Sequence, residues 1–329
     1  MKKAILSLLI LTLSTLNSQL SNIEAKSYDN TDTIVVARDG TGEFRNIQNA
    51  IEVCRAFMGY HKVIYVKKGT YKEKLIVPAW LTNIEIVGED LEETIITYDD
   101  HANIAMEGTD QKLGTFRSYS VQVNGNDITF RNITIENNAA KLGQAVALHT
   151  QGDRLKFINC RILGNQDTIY TGGTNTRLYF KNCYIDGTTD FIFGPSTAWF
   201  EECTINSKAN SYITAASTPQ DVPYGYIFNN CTLTANDDVE KVYLGRPWRD
   251  YGYTLFMNCE LGKHIRPIGW HPWQDYKKET ARYMEYNNRG EGSDTSQRAE
   301  WSKQLTDKEA KKITVEEVFS IGNTWIPEE

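Results

Sequence analysis

Features that would place this 329-residue chain in several common classes of protein are missing from its sequence. The chain has no block of basic residues, and its formal net charge of −7 argues against nucleic acid or an anionic membrane surface as a partner. Its five histidines show no spacing typical of metal ligands, such as H-E-x-x-H, so we expect neither a metal site nor a cofactor. Beyond the N-terminus, no apolar run is long enough to cross a bilayer.

The long apolar run at the N-terminus covers residues 4–16, follows two lysines and is followed by polar residues. This layout is typical of a secretory signal peptide, with a cleavage site after Ala25, although an uncleaved anchor is the alternative. We therefore expect a signal peptide at 1–25 and a single catalytic domain at 26–329. The mature protein should be an exported monomer, periplasmic or secreted, without membrane contact.

A six-residue unit recurs along the middle of the chain. It consists of an aromatic residue, two mostly polar residues, a small apolar residue, a polar residue and an aliphatic one. Its copies are FRNITI, FINCRI, FKNCYI, FEECTI, FNNCTL and FMNCEL. Their fourth positions are separated by 27, 23, 20, 28 and 28 residues. Alternation at period two predicts a strand, and a strand that recurs at such intervals predicts a solenoid.

The solenoid that fits this repeat best is an all-β, single-stranded parallel β-helix in which each repeat forms one coil. Leucine is too sparse for leucine-rich repeats, and the units are too short for propeller blades. Apolar residues at helical spacing from Ile47 to Phe57 predict a helix that caps the open N-terminal end. The alternation fades after about Trp273, so we expect the charged C-terminal extension, 277–329, to pack outside the coils.

Five of the six cysteines occupy the fourth position of the repeat, where they should stack in an inward-facing column. Neighbouring rungs place Cα atoms about 5 Å apart, a distance that a disulfide accepts, and export permits oxidation. Stacked side chains point the same way, however, and thiols already pack well in a column. We expect at most one disulfide, Cys183–Cys203, whose formation stays open, and a free, buried Cys54.

Two aspartates occupy equivalent places on neighbouring coils. Asp167 follows Cys160 by seven residues, and Asp190 follows Cys183 by seven. Coils stacked in register would bring the two Cβ atoms to about 5 Å from each other. Repulsion would then raise the pKa of one carboxyl and leave that of the other low, which supplies a proton donor beside an anionic nucleophile or base. The alternative is a pair of turn-forming aspartates.

The neighbours of these aspartates favour chemistry over turn formation. Gln166 adjoins Asp167, and Gln144 lies one coil earlier. Side-chain amides are neutral donors suited to an oxyanion, although the two could also form an ordinary amide ladder. In the segment LGRPW, Arg246 can hold a carboxylate in a fork-like grip and keep it ionised, and Trp248 offers a flat face to a sugar ring. That segment could also be only a proline turn.

The blocks GQAVAL, GNQDTIY, DGTTDFIFG and LGRPW, in this order, resemble the signature blocks of the pectin methylesterase (pectinesterase) family. The segments VVARDGTGEFRNIQNAI, GWHPW and YMEYNNRGEG are also similar to blocks of that family. The resemblance extends from about Thr33 to Trp325. One departure is His149, which stands where the family often has arginine.

The resemblance implies a right-handed parallel β-helix that removes methyl esters from the C6 carboxyl of galacturonate in pectin (homogalacturonan), with release of methanol. It implies these roles: nucleophile Asp190, proton donor and acceptor Asp167, oxyanion-binding amides Gln144 and Gln166, nucleophile-orienting Arg246, and substrate-binding Trp248, Phe193 and Thr115.

Other functions are compatible with part of the sequence. A serine hydrolase built on Ser196 is disfavoured because Ala198 replaces the last glycine of G-x-S-x-G. A pectate lyase or a polygalacturonase can use the same architecture, but a calcium-dependent lyase would need a cluster of acidic ligands. A non-catalytic carbohydrate-binding solenoid, or an esterase for another ester, is the remaining alternative.

Overall fold

The computed structural model describes three stretches of the chain, residues 27–29, 31–320 and 322–327. The predicted signal peptide, 1–25, lies outside the described residues. The fold described below is that of the compact unit Asp32–Glu329. In the part of the chain that the structure describes, none of the helices is long and apolar enough to cross a membrane.

Among the described residues, 26 β-strands form three sheets, A, B and C. Sheet A contains, in spatial order, β1 (Thr33–Val36), β2 (Lys62–Val66), β5 (Thr82–Gly88), β8 (Asn126–Arg131), β11 (Leu155–Ile158), β14 (Arg177–Lys181), β17 (Thr197–Glu201), β20 (Tyr226–Asn229), β23 (Tyr253–Met257), β25 (Arg282–Tyr286) and β26 (Lys303–Gln304).

Sheet B contains β3 (Gly69–Lys72), β6 (Thr94–Tyr98), β9 (Thr134–Asn137), β12 (Arg161–Leu163), β15 (Tyr184–Gly187), β18 (Thr204–Ser207), β21 (Thr232–Ala235) and β24 (Glu260–Leu261). Sheet C contains β4 (Leu75–Val77), β7 (Val121–Val123), β10 (Leu148–Thr150), β13 (Ile169–Thr171), β16 (Ile192–Gly194), β19 (Tyr212–Ala216) and β22 (Tyr243–Gly245). The helices are α1 (Ile47–Glu52), α2 (Asp307–Ala310) and α3 (Val315–Val318), with short 3₁₀ turns at Thr115–Arg117, Asp275–Glu279 and Glu291–Ser293.

From β2 to β22 the chain visits sheets A, B and C in turn, and each strand pairs in parallel with its counterpart on the next coil. Parallel strands reached by one crossover per coil define a parallel β-helix. The predicted fold class is therefore confirmed.

The six-residue repeat spans the turn from sheet A to sheet B. Its aromatic position forms a buried ladder of stacked rings, with centroids 4.3 to 5.5 Å apart and interplanar angles of 9 to 14°. The rings are those of Phe130, Phe157, Phe180, Phe200, Phe228 and Phe256. Offset stacking adds to the free energy that area burial alone provides. One phenylalanine per coil thus supplies a continuous spine to the core.

The third position of the repeat makes the corner between the two sheets. Asn132, Asn159 and Asn182 have φ values of 55°, 50° and 52°, in the left-handed region that asparagine tolerates better than most residues. The Nδ2 of Asn159 also donates to the Oδ1 of Asn132 at 2.9 Å. The repeat has asparagine at most of these positions because the turn requires a left-handed backbone conformation. The side-chain amides of neighbouring coils can also hydrogen-bond to each other.

All six cysteines lie within the described residues, and each is a buried free thiol. In the column, each thiol lies near the carbonyl oxygen of the phenylalanine one coil earlier, as Cys183 Sγ does with Phe157 O at 3.2 Å. The disulfide Cys183–Cys203 that the sequence left open is not formed. Cys54 is free and buried, as expected.

The predicted N-terminal helix is shorter than expected. Helix α1 ends at Glu52, so Cys54 lies beyond it, and Phe57 is 85% exposed with a φ of 60°. The chain turns away after Val53, and the Phe57 N–H donates to the carbonyl oxygen of Trp80 at 3.0 Å. Ile47 and the other buried residues of α1 pack near the first strands. That α1 closes the end of the solenoid stays a prediction.

The C-terminal extension divides into two parts. The expectation that all of 277–329 packs outside is wrong for Arg282–Tyr286, which adds strand β25 to sheet A because Tyr283 and Glu285 alternate inward. The final part does pack outside. There, Val318 and its neighbour Phe319 are buried against the outer face of sheet A.

Candidate active site

The two predicted carboxylates lie at the entrance to adjacent strands of sheet C. Asp167 and Asp190 each precede a strand by two residues, and the register pairs Ile169 with Ile192. The Asp167 N–H donates to the carbonyl oxygen of Thr189 at 3.0 Å. The spacing of 23 residues therefore corresponds to one coil, and the two aspartates are stacked equivalents.

Both aspartates have a left-handed backbone conformation, with φ values of 66° for Asp167 and 48° for Asp190. Aspartate tolerates this conformation better than most residues, yet it carries strain. Each carboxyl is buried, with 9% and 6% of the residue surface exposed. Turn formation therefore explains the left-handed backbone conformation of the two aspartates. It does not explain why both carboxyl groups are buried at equivalent places on neighbouring coils.

A cleft of about 400 Å³ on sheet C contains both carboxyls. All eight predicted site residues line it, namely Thr115, Gln144, Gln166, Asp167, Asp190, Phe193, Arg246 and Trp248. It is also lined by three residues that the sequence analysis did not select, Phe116, Ala215 and Trp273. The structure thus brings the predicted residues together, while their individual roles stay predictions.

Arg246 grips Asp190 with two parallel hydrogen bonds. Its Nε donates to Asp190 Oδ1 at 3.0 Å, and its Nη2 donates to Oδ2 at 2.6 Å. This fork geometry fixes the plane of the carboxylate and favours its ionised form. Arg246 directly follows β22, on the coil after the one that carries Tyr212.

Burial dominates the protonation of both carboxyls. It raises the pKa of Asp167 well above its usual range, the nearby charge of Asp190 raises that pKa further, and Arg246 partly opposes both effects. Burial also raises the pKa of Asp190, against the hydrogen bonds and charge of Arg246. The expectation that one pKa would stay low is therefore wrong, because burial outweighs the ion pair. The larger shift still belongs to Asp167.

The two glutamines enter the cleft from neighbouring coils. The Ala145 N–H donates to the carbonyl oxygen of Gln166 at 3.0 Å, which ties the turn after Gln144 to the turn before Asp167. Both side chains are half-buried and line the cleft beside the carboxyls. Neutral amide donors in a partly dry pocket can stabilise a developing oxyanion.

Aromatic side chains form the floor and wall of the cleft. Phe193 contacts Trp248 edge to face at a centroid distance of 5.8 Å and Tyr170 at 5.0 Å. Phe116, 46% exposed, lies 4.8 Å from Tyr170. Flat apolar surfaces beside polar groups suit a sugar ring, whose faces carry C–H groups. Phe116 was not predicted although its neighbour Thr115 was, and Trp273 closes the quoted block GWHPW but was assigned no role.

His149, the departure from the family pattern, is a buried neutral support. Burial lowers its pKa to about 4. Its Nδ1 lies 3.2 Å from the carbonyl oxygen of Phe116, and its Nε2 lies 2.9 Å from the side-chain nitrogen of Gln151. A neutral ring with Nδ1–H as donor and Nε2 as acceptor satisfies both contacts. His149 therefore anchors the turn that carries Thr115 without placing a charge in the cleft.

Ser196, the nucleophile of the serine-hydrolase alternative, is fully buried. Its hydroxyl oxygen lies 2.9 and 2.7 Å from the carbonyl oxygens of Thr171 and Gly172, either of which can accept its proton. A hydroxyl committed to backbone carbonyls in the core cannot reach a polymer, so this alternative loses its support. In the stretches that the structure describes, no group of three or more His, Cys, Asp or Glu side chains is arranged to hold a metal ion.

Comparison with known proteins assigns the chain to a family. The Pectinesterase family model matches residues 33–323. The chain belongs to the pectinesterase family. Among curated pectinesterase-family relatives, Pectinesterase 31 of Arabidopsis thaliana is 38% identical over 281 residues, covering 84% of this chain and 88% of the relative. A probable pectinesterase/pectinesterase inhibitor of Brassica napus is 35% identical over 310 residues, covering 90% of this chain but about half, 51%, of the relative.

Solved pectinesterase structures share the fold. The pectin methylesterase from carrot aligns with a TM-score of 0.81 at 32% identity, covering 89% of this chain and 94% of the carrot chain. A pectin methylesterase mutant solved in complex with a hexasaccharide aligns with a TM-score of 0.77 at 28% identity, covering 89% of this chain and 98% of the other. These comparisons confirm the predicted family, and the predicted enzyme class agrees with them.

Proposed function

We propose that this pectinesterase-family protein hydrolyses the C6 methyl esters of galacturonate in pectin, with Asp190 as nucleophile and Asp167 as general acid and base. The observation that carries the proposal is the stacked pair of buried carboxyls, only one of which is gripped by Arg246. When two carboxyl groups have different environments, one can stay protonated and act as an acid while the other is ionised and acts as the nucleophile. The hexasaccharide complex of a related pectin methylesterase supports a polysaccharide as the substrate.

In the first half-reaction, an oxygen of the Asp190 carboxylate attacks the ester carbonyl carbon, and the carbonyl π electrons move to the oxygen. The side-chain amides of Gln144 and Gln166 donate to this oxyanion. The bond to the methoxy oxygen then breaks, and Asp167 gives its proton to the departing oxygen, which leaves as methanol. The product is a mixed anhydride between Asp190 and the sugar C6 carboxyl.

In the second half-reaction, Asp167 is a carboxylate and takes a proton from a water molecule. The water oxygen attacks the C6 carbonyl carbon of the anhydride, and the bond to Asp190 breaks. The galacturonate carboxyl is released, and both aspartates return to their initial protonation states. Arg246 holds the Asp190 carboxyl group in a fixed orientation through both steps.

Removing either oxyanion donor should slow turnover strongly. Gln144→Ala and Gln166→Ala should each lower kcat by roughly 10²–10³, the usual loss for one such donor. The control is Gln122→Ala on strand β7 of sheet C, outside the lining of the cleft, which should leave kcat unchanged. A rise in KM with an unchanged kcat would instead assign the two amides to sugar binding.

The pH dependence of kcat/KM should be bell-shaped, with both limbs above the pH near 4 at which free carboxyls titrate. Asp190 acts as an anion, so activity is lost as pH falls through its raised pKa. Asp167 acts as an acid, so activity is lost as pH rises through its pKa, which is raised further. Arg246→Gln should move the acidic limb to higher pH, because the ion pair lowers the pKa of Asp190. An unmoved acidic limb in that variant would contradict the assignment.

The substrate class is tested by titrating acid release from three substrates. Methylated pectin should release acid, whereas acetylated pectin and small acyl esters should release little. Faster hydrolysis of acetylated pectin would assign the cleft to another ester. We also propose, from the N-terminal sequence, that the protein is exported. N-terminal sequencing of the protein from the periplasm or medium should begin after residue 25.

A further inference from the structure

The column that holds the two carboxylates continues into two tyrosines. Asp167, Asp190 and Tyr212 stand three residues before Tyr170, Phe193 and Ala215, which pair along sheet C. Tyr212 in turn pairs with Tyr243 on the next coil, and their rings stack at 5.1 Å with an interplanar angle of 13°. The position that carries a carboxylate on two coils thus carries a phenol ring on the next two.

Arg246 crosses this column to reach Asp190. Its guanidinium carbon lies 3.9 Å from the ring centroid of Tyr212 and 3.8 Å from that of Trp273. Two aromatic rings therefore enclose the cation at the same time as its fork holds the Asp190 carboxylate. A guanidinium stacks well on aromatic rings because it is planar and weakly hydrated.

The two rings differ in their access to substrate. Trp273 lines the cleft, whereas the described residues that line it do not include Tyr212. Tyr212 is instead backed by Tyr243 and by the edge of His271, whose centroid is 5.5 Å away. A ring packed in this way can influence the reaction only through the groups that it contacts.

We propose that Tyr212 is a positioning residue that acts on ester hydrolysis through Arg246. Its ring holds the guanidinium in the orientation in which Nε and Nη2 both donate to the Asp190 carboxylate. This inference rests on the proposed function, in which Asp190 is the nucleophile. Without the ring, the guanidinium loses one of its two walls and can rotate away from the carboxylate. Asp190 then keeps its burial but loses the partner that opposes the effect of burial.

The test compares the wild-type protein with Tyr212→Phe and Tyr212→Leu, on methylated pectin. Tyr212→Leu should lower kcat about tenfold with little change in KM, because the loss of one desolvated cation–ring contact acts on orientation. Tyr212→Phe keeps the ring and should retain the wild-type kcat. The acidic limb of the pH profile of Tyr212→Leu should move to higher pH, the direction expected for Arg246→Gln.

A double variant isolates the route of action. If Tyr212 works through Arg246, then Tyr212→Leu should change kcat by less than about twofold when Arg246 is already glutamine. An equal loss in the Tyr212→Phe variant, or a full additional loss in the Arg246→Gln background, would overturn the proposal. The melting temperature of each variant separates a general loss of stability from these effects.

A measurement without substrate distinguishes this proposal from the proposed function. Carbon-13 NMR can follow the titration of the Asp190 carboxyl, assigned by its absence in Asp190→Asn. Besides Arg246, the titratable groups whose charges interact with Asp190 are Asp167 and Tyr283, while His271 interacts with Arg246. Tyr212→Leu should raise the midpoint for Asp190, and Tyr212→Phe should not. An unchanged midpoint contradicts positioning through Arg246, even if the protein proves to act on another ester.

Discussion

Asp190→Asn should abolish ester hydrolysis, with a loss of kcat of at least about 10⁴-fold, as for other catalytic nucleophiles. An amide is nearly isosteric with a carboxylate but is a poor nucleophile, and no other side chain in the cleft is gripped in the same way by Arg246. The carbonyl oxygen of the replacement amide can still accept a hydrogen bond from the guanidinium, so the fold should persist. Methanol release from methylated pectin measures the loss.

The matched control is Asp186→Asn, one turn earlier on the same coil. Asp186 is also buried, and its Oδ1 accepts hydrogen bonds from Lys208 Nζ and the Gly164 N–H, both at 3.1 Å. It does not line the cleft, so its replacement should alter the melting temperature but not kcat. Near-normal turnover by folded Asp190→Asn protein would remove the nucleophile assignment.

Asp167→Asn should lower kcat by roughly 10²–10⁴, the range for a general acid or base. An amide can neither protonate the departing methoxy oxygen nor take a proton from the attacking water. The alkaline limb of the pH profile should also disappear, because that limb reports the raised pKa of Asp167. The pH profile of the residual activity tests both statements.

The alkaline limb separates catalysis from packing for Asp167. A packing defect would lower activity at every pH and leave the shape of the profile unchanged. A limb that persists in Asp167→Asn would mean that another group donates the proton. The same test is not available for Asp190, because Asp190→Asn should leave no activity whose pH profile could be measured.

The architecture could be predicted from sequence because one short unit carries several constraints. Its aromatic position stacks in the core, its third position turns the chain, and its fourth position packs inward. The interval between units is then the length of a coil, which is how residues 23 apart become neighbours. Strand β25 escaped detection because Glu285, which pairs with Phe256, puts a glutamate where the repeat has phenylalanine.

The candidate site was predictable where each residue lies within a block of its own, as Asp167, Asp190 and Arg246 do. The pKa of Asp190 was not predictable, because its burial depends on neighbouring coils and on the cleft wall. The enclosure of Arg246 was also hidden. Tyr212 and Trp273 are 61 residues apart, and they meet only because both contact one guanidinium.

The central claim is that the cleft hydrolyses the methyl ester and leaves the polymer backbone intact. The direct measurement incubates wild-type protein with highly methylated polygalacturonate and follows methanol, titratable acid and chain length together. The proposed function predicts equal amounts of methanol and acid, at unchanged chain length, and no ultraviolet absorbance from unsaturated uronate. Shortened chains without methanol would contradict it and indicate a polygalacturonase, or, if unsaturated ends accompany them, a lyase.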